Sequence, residues 1–389
     1  MANHLCLFPS WYPEKEGDVG GSFFREQAIA LSRHGHQVGV VYANIFSFKK
    51  FKNYLKAPKG TLIFNDEGVE TYIKNDLCFL PKVPNAYSWF CLNTGMKLFE
   101  RYIEGNGKPD VIHVHSILHG GVLAKAVKEK YGIPYVITEH STHYARKLLN
   151  DKQLELAQGV VNQANSCIAV SEPFAQVLSD IFDSNTNWLT IPNILSSRFE
   201  QVSDLSLTQK KIFTFCNASL LTDIKGIDIL LRAFTSAFKG SKHIQLKIGG
   251  DGPSKVKLIA LSKELGIEQQ VKFLGRLSRA EVVDMILESN AYALSSHVET
   301  FGVSIIESLA LGRPVVATRC GGPESIVQPS DGYLVEKDNV QALSDALIEM
   351  YDNYEKFESS DIRKSCLNRY SESAVIELLS KVYAKVIGC

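Results

Sequence analysis

The feature that most restricts the fold of this chain is a grammar of short apolar runs separated by helical sequence, used once and then begun again. "HLCLF" (4–8) leads through a glycine-rich stretch into "GSFFREQAIALSRHGH", whose apolar residues recur at helical spacing up to Gly35, and then into "QVGVVYA". Further apolar runs occur at "DVIHVH" (110–115), "YVITEH" (135–140), "SCIAVS" (166–171) and "WLTIPN" (188–193). Runs of this kind suit strands buried on both faces, and so a parallel sheet covered by helices. After the polar stretch 194–211 the pattern restarts with "IFTFCNASLL", "IQLKIGGDG", "VKFLGR", "AYALSS" and "PVVATRCGG". The restart places a domain boundary near residue 200.

A chain of 389 residues suits two domains of roughly 100–200 residues each. The expected fold class is therefore α/β, two doubly wound Rossmann-like domains facing each other across a cleft, where strand carboxyl ends and helix N-termini meet a ligand. With 42 basic and 42 acidic side chains, nothing suggests a nucleic-acid partner. Eight scattered cysteines without a Cys-x-x-Cys pair fit a reducing cytoplasm. No segment approaches the roughly 18 uninterrupted apolar residues of a membrane span, and the N-terminal apolar stretch is too short for a signal peptide.

The segment "HVETFGVSIIESLALGRPVVATRCGGPESIV" (297–327) reads as loop, short helix and strand. The backbone N–H groups of Phe301, Gly302 and Val303 then stand at a helix start, suited to a phosphate or to sugar hydroxyls. Glu299 and Glu307 flank them, and carboxylates accept hydrogen bonds from hydroxyls. The competing reading is a Ser304/Glu307 capping box with Glu299 simply solvated.

These residues also resemble a known family. Glu-x7-Glu, followed by "ALGRPVVAT" and "GGPE", is similar to the signature of the family 4 retaining glycosyltransferases, which have the GT-B fold. Similarity extends through "GHQV", "PDVIHVH", "ITEH", "AVSE", "IPN", "DIKGIDILLRAF", "GGDGP", "FLGR" and "DGYLV". The resemblance implies a nucleoside-diphosphate-sugar donor, no cofactor and no metal. It also implies a front-face reaction in which the leaving phosphate helps take the acceptor proton. Glu299 would contact the donor sugar, Glu307 the nucleotide ribose, Lys225 the diphosphate, and His140 the region of the reacting sugar. Domains of 1–200 on the acceptor side and 201–370 on the nucleotide-sugar side are expected, with a helix 371–389 crossing back.

Lys225 stands before a helix whose dipole favours an anion. Where the family usually has an arginine, six residues earlier, this chain has Ser219, and Arg319 is a candidate replacement or a surface residue. Gly20 and Gly21 lie in a long first loop and would let backbone approach the diphosphate, or simply mark a turn. His113 and His115 share one strand face and read as structural. "GGDGPSK" lacks the third glycine of a dinucleotide fingerprint, no Walker motif occurs, and no Asp-x-Asp is present to clamp a metal. Residues 46–60 interleave Phe46, Phe48, Phe51 and Tyr54 with five lysines, as suits an anionic membrane surface or a solvated face. The first alternative favours a glycan or lipid-linked acceptor and a protein at the inner face of the membrane.

Overall fold

A computed structural model describes residues 3–13, 21–80, 86–182, 186–206 and 212–388. The chain divides into two compact units, the first comprising Met1–Val170, Ala175–Ile194 and Val375–Cys389, the second Ser171–Phe174 and Leu195–Ala374.

Unit 1 holds strands β1 (His4–Pro9), β2 (Gln37–Ser47), β3 (Thr61–Asp66), β4 (Val69–Cys78), β5 (Val111–His115), β6 (Tyr135–Glu139), β7 (Ser166–Ala169) and β8 (Trp188–Thr190). Among the described residues they form one sheet in the order β3-β4-β2-β1-β5-β6-β7-β8. All pairings are parallel except the β3/β4 hairpin. That hairpin closes Asp66 onto Val69 through Glu67 (φ 52°) and Gly68 (φ 93°), the positive-φ pair that a two-residue turn needs to match strand twist. Without the hairpin strand β3, the order is that of a dinucleotide-binding sheet with one added edge strand.

Unit 2 holds β9 (Phe213–Ala218), β10 (Ile244–Gly249), β11 (Val271–Gly275), β12 (Ala291–Leu294), β13 (Val315–Arg319) and β14 (Gly332–Glu336), ordered β11-β10-β9-β12-β13-β14 and parallel throughout. This is the doubly wound order 3-2-1-4-5-6, with its topological switch point between β9 and β12.

The apolar runs fill the cores as their pattern requires. Leu5, Leu7, Val38, Val40, Val111, Val136 and Ile168 are buried together in unit 1, and Phe215, Leu246, Ile248, Ala293 and Val316 in unit 2. The last helix, Glu372–Ile387, buries Val375, Ile376, Leu379, Val382 and Tyr383 in the unit 1 core. Its apolar residues recur at i, i+3/i+4 and i+7, so one face is committed to the sheet of unit 1 although the chain arrives from unit 2. Among the described residues no helix is long and apolar enough to cross a membrane.

Candidate active site

In unit 2 the site is built where β9 and β12 end. After β9 the chain makes a one-turn 3-10 helix, Asp223–Lys225, and enters the helix Ile227–Phe238 through Gly226 at φ 58°. A Cβ on Gly226 would lie 2.1 Å from the Ser295 carbonyl oxygen, so only glycine permits both the left-handed turn and the approach of the loop after β12. That loop is stitched alongside: His297 N–H donates to Ile224 O at 2.9 Å, and Ser295 Oγ to Lys225 O at 3.0 Å.

The result sets Lys225 against Glu299. Lys225 Nζ lies 2.6 Å from Glu299 Oε1, which also accepts from Ser296 Oγ at 2.7 Å. Glu299 is pinned through its backbone as well, its N–H donating to Cys320 O at 2.9 Å and its C=O accepting from Gly322 N–H at 2.8 Å. Glu324 of the "GGPE" run holds that second loop by accepting from Gly321 N–H at 3.0 Å and Cys320 N–H at 3.2 Å. Its carboxylate is thus used on its own loop.

The helix Val303–Ala310 starts at Gly302, which has φ 122° and supplies no side-chain cap. Ser304 lies inside the helix, so the Ser304/Glu307 capping box does not form. The N–H groups of Phe301, Gly302 and Val303 donate to no acceptor among the described residues. The positive end of the helix dipole and three N–H donors are therefore left open, an arrangement compatible with an anion or with hydroxyls.

Glu307 is not solvated either: its side chain is 4% exposed, with Arg279 Nη2 2.7 Å from Oε1. The approach is close but not aligned along an N–H bond, and Oε1 accepts no hydrogen bond among the described residues. Arg279 itself is fixed by the capping box of Ser278 and Glu281 at its helix start and lies over the Phe199 ring, 4.9 Å from the centroid. Sequence reading missed Arg279; the "FLGRLSRAE" run carries a capping-box signal, but no spacing rule links it to Glu307. Ser219 Oγ donates to Asn217 Oδ1 at 2.8 Å. Arg319, 48% exposed, has Glu336 of the neighbouring strand 4.0 Å away and does not join the Lys225–Glu299 pair. Arg313, in the same signature, is fully buried and donates to Leu205 O and Leu287 O, a packing role.

Two family models match the chain, Glycosyltransferase Family 4 over residues 20–196 and Glycosyl transferases group 1 over residues 197–363. The chain belongs to the family 4 glycosyltransferases. It is 25% identical over 290 residues to N-acetyl-alpha-D-glucosaminyl L-malate synthase of Bacillus anthracis, covering 72% of this chain and 75% of that one. It is 27% identical over 375 residues to D-inositol 3-phosphate glycosyltransferase of Mycolicibacterium smegmatis, covering 86% and 80%. The fold matches sucrose-phosphate synthase from Thermosynechococcus elongatus with a TM-score of 0.79 over 99% of both chains at 17% identity. This glycosyltransferase is thus a hexosyltransferase-type enzyme with two Rossmann-like units of the GT-B fold.

In unit 1 of the glycosyltransferase, Gly20 lies outside the described residues. Gly21, at φ 77°, opens the helix Ser22–Arg33, and a Cβ there would meet Trp11 O at 3.0 Å. His140 comes directly after β6 and is buried, its Nε2 3.1 Å from His115 Nδ1 and its ring packed on Phe23 and Phe24. His113 is held by Tyr383 OH at 2.7 Å and Thr138 Oγ1 at 2.8 Å. Burial pushes His113 and His140 down to about 3 and His115 well below its ordinary range, so all three rings stay neutral. Glu139 is buried too and is raised by desolvation, while N–H groups of Ile117, His140 and Ser141 oppose that shift.

Proposed function

We propose that the enzyme moves a sugar from a nucleoside-diphosphate sugar to a hydroxyl of a glycan or lipid-linked acceptor, with retention of anomeric configuration and without a metal. The observation that carries this reading is the Lys225–Glu299 pair beside the open N–H groups of Phe301, Gly302 and Val303. A cation and a helix start together suit a diphosphate, and a carboxylate at 2.6 Å from that cation suits the hydroxyls of the attached sugar. Glu307, beside Arg279, is assigned the ribose diol by the family's Glu-x7-Glu spacing.

On this reading the bond from the anomeric carbon to the leaving phosphate breaks while the acceptor oxygen bonds on the same face. The acceptor proton passes to a phosphate oxygen, so no protein nucleophile is needed. Lys225 and the helix start stabilise the charge that grows on the departing diphosphate, the kind of preorganised stabilisation that lowers barriers most. His140, neutral and fixed by His115, positions the donor sugar by hydrogen bonding, and Gly21 leaves backbone free to approach the diphosphate. The absence of any Asp-x-Asp in the sequence supports metal independence.

A second reading within the enzyme class has one observation in its favour: the two relatives described above are named for L-malate and for inositol 3-phosphate, small soluble molecules. Ser219, standing in place of a cation, would instead fit a nucleotide-sugar binder with little turnover. The test is a thermal-shift screen against UDP, GDP, ADP and their sugars, followed by acceptor-dependent release of nucleoside diphosphate in EDTA and NMR assignment of the product anomer. A ligand at 100 times its dissociation constant adds about 2.7 kcal/mol of stability. Stabilisation without release in any acceptor supports the binder; inversion or loss of activity in EDTA refutes the retaining, metal-free assignment.

A further inference from the structure

The carboxyl ends of β2 and β4 in unit 1 carry an apolar surface that none of the residues above uses. Ser47 and Cys78 are register partners, so Phe48 and Phe79 leave the sheet side by side. Phe48 is 54% exposed, Phe79 60% and Trp89 58%. Phe48 stacks on Phe51 with centroids 5.9 Å apart, and Leu55, one turn beyond Phe51 on the helix Phe51–Lys56, is exposed on the same face. Behind them Phe90 is buried, its ring 5.1 Å from Phe79 and 5.0 Å from Trp89. Phe90 belongs to a small satellite core with Ile45, Cys78, Ala86 and Cys91. The exposed rings are therefore supported from behind and, among the described residues, uncovered in front. A contiguous apolar face of this kind marks an interaction surface.

Its charge is as one-sided as its polarity. Residues 46–65 contain five lysines and no acidic residue, in a chain whose basic and acidic side chains balance at 42 each over its full length. Lys49, Lys50, Lys52 and Lys56 are exposed and form no ion pair among the described residues. Protein–protein interfaces are depleted of lysine, whereas aromatic rings ringed by lysines are what a headgroup layer accepts.

We propose that this end of unit 1 docks on the surface of an anionic lipid bilayer, with Phe48, Phe79 and Trp89 entering the headgroup region and the lysines meeting lipid phosphates. The surface extends the 46–60 segment singled out in the sequence to a second and third element, the end of β4 and the start of the helix Ala86–Asn106. Docking would bring the enzyme to acceptors anchored in that bilayer. It rests on these residues and not on the choice of acceptor.

The test is co-sedimentation of the full chain with phosphatidylcholine vesicles and with vesicles containing phosphatidylglycerol. Binding to the anionic vesicles, weakening as salt is raised, is expected. Each lysine near such a surface contributes about a fivefold factor, so a Lys49→Gln/Lys50→Gln/Lys52→Gln variant should lower partition on the order of 100-fold. Phe79→Ser/Trp89→Ser should lower it by about tenfold or more. The thermal shift produced by nucleoside diphosphate should be unchanged in both variants, which verifies folding and separates failure of docking from failure of the transferase reading. Absence of vesicle binding, equal binding to both vesicle types, or wild-type binding by the lysine variant would overturn the proposal. Self-association without lipid that is lost in Phe79→Ser/Trp89→Ser would overturn it in favour of a second copy of the chain.

Discussion

At the carboxyl ends of its strands unit 2 gathers opposite charges, Lys225 with Glu299 and Arg279 with Glu307, while unit 1 gathers imidazoles that burial keeps neutral. Both sheets share the doubly wound strand order, so the contrast does not come from topology. It comes from the residues and loops at the strand ends. In unit 2, Gly226 lets one loop lie against another so closely that a lysine and a carboxylate are held by backbone contacts on both sides. In unit 1, His113, His115 and His140 face one another and the aromatic side chains of Phe24 and Tyr383. The same scaffold thus presents paired charges at the strand ends of unit 2 and neutral imidazoles at those of unit 1.

The contrast breaks most sharply at Lys225. Lys225→Ala should lower kcat on the order of 100- to 1,000-fold, the scale observed when one preorganised stabiliser of developing charge is removed. Glu299 keeps Ser296 as a donor in that variant, so the loop survives. Steady-state kinetics check this. A loss below about threefold would mean that the charged unit stabilises the leaving group through some other cation.

Glu307 comes next. A ribose contact alone would let its replacement leave the fold nearly intact, but its burial beside Arg279 makes truncation to alanine costly. Glu307→Gln keeps the shape and removes the charge. Donor affinity should fall about 10- to 100-fold, equivalent to the roughly 1.5–3 kcal/mol of hydrogen bonds to a charged group. Calorimetric titration with a nucleoside diphosphate and with its dideoxyribose analogue distinguishes the roles: only the first should weaken. Wild-type affinity in the variant would leave Glu307 as the structural partner of Arg279.

Acid tests the neutral unit. His113 and His140 have folded values of about 3, below the ordinary 6.5, so between those limits the unfolded chain binds more protons than the folded one. Their contribution to stability is complete above about pH 6.5 and falls with falling pH, by about 1.4 kcal/mol per pH unit for each ring. Glu139 acts in the opposite sense: raised in the fold, it favours the folded state at low pH and loses that contribution as pH rises through its folded value. Trp11, Trp89 and Trp188 all lie in unit 1, and these are the only tryptophans of the chain. Urea midpoints monitored by tryptophan fluorescence should therefore drop from pH 7 to pH 5 more than midpoints monitored by far-ultraviolet circular dichroism. Equal shifts by both probes would place the acid sensitivity outside the histidine cluster.

How much of this was legible in the sequence splits along similar lines. Most parallel strands of this chain are apolar runs, so β1, β2 and β5–β13 could be read off directly. The β3/β4 hairpin could not, because its strands mix polar and apolar residues along an edge that is partly exposed, although Glu67-Gly68 carried a turn signal. Strand β14 was visible only as the family's "DGYLV". In the site, Glu299 and Glu307 stood out because they flank a helix start and match the family's Glu-x7-Glu, and Lys225 because it precedes Gly226 at the start of a helix. Arg279 did not, since its link to Glu307 is made in space by a helix start remote in sequence. Ser304 illustrates the reverse error: Ser-x-x-Glu has the spacing of a capping box, but Gly302 begins the helix earlier and turns Glu307 toward Arg279.

The smallest effect concerns the cation that unit 2 lacks. Ser219 comes directly after β9, with its N–H bonded to Gly249 O at 3.0 Å and its hydroxyl spent on Asn217. Its backbone is therefore fixed by β10 whatever the side chain. The hydroxyl bond is the only described polar contact that Ser219→Arg would remove, and a partly exposed bond of that kind is worth about 1 kcal/mol. An arginine reaching the diphosphate adds a charge-assisted bond, but one that remains partly screened by solvent. Donor affinity should consequently rise only about fivefold, with the increase shrinking as salt is raised, because a screened cation contributes about 1 kcal/mol. Titration with nucleoside diphosphate at two salt concentrations measures it. A gain confined to nucleoside diphosphate, absent for the nucleoside alone, places the new charge at the diphosphate. An equal change for both ligands would show that residue 219 acts through the loop and that Lys225 with the helix start already completes the charged side of the comparison.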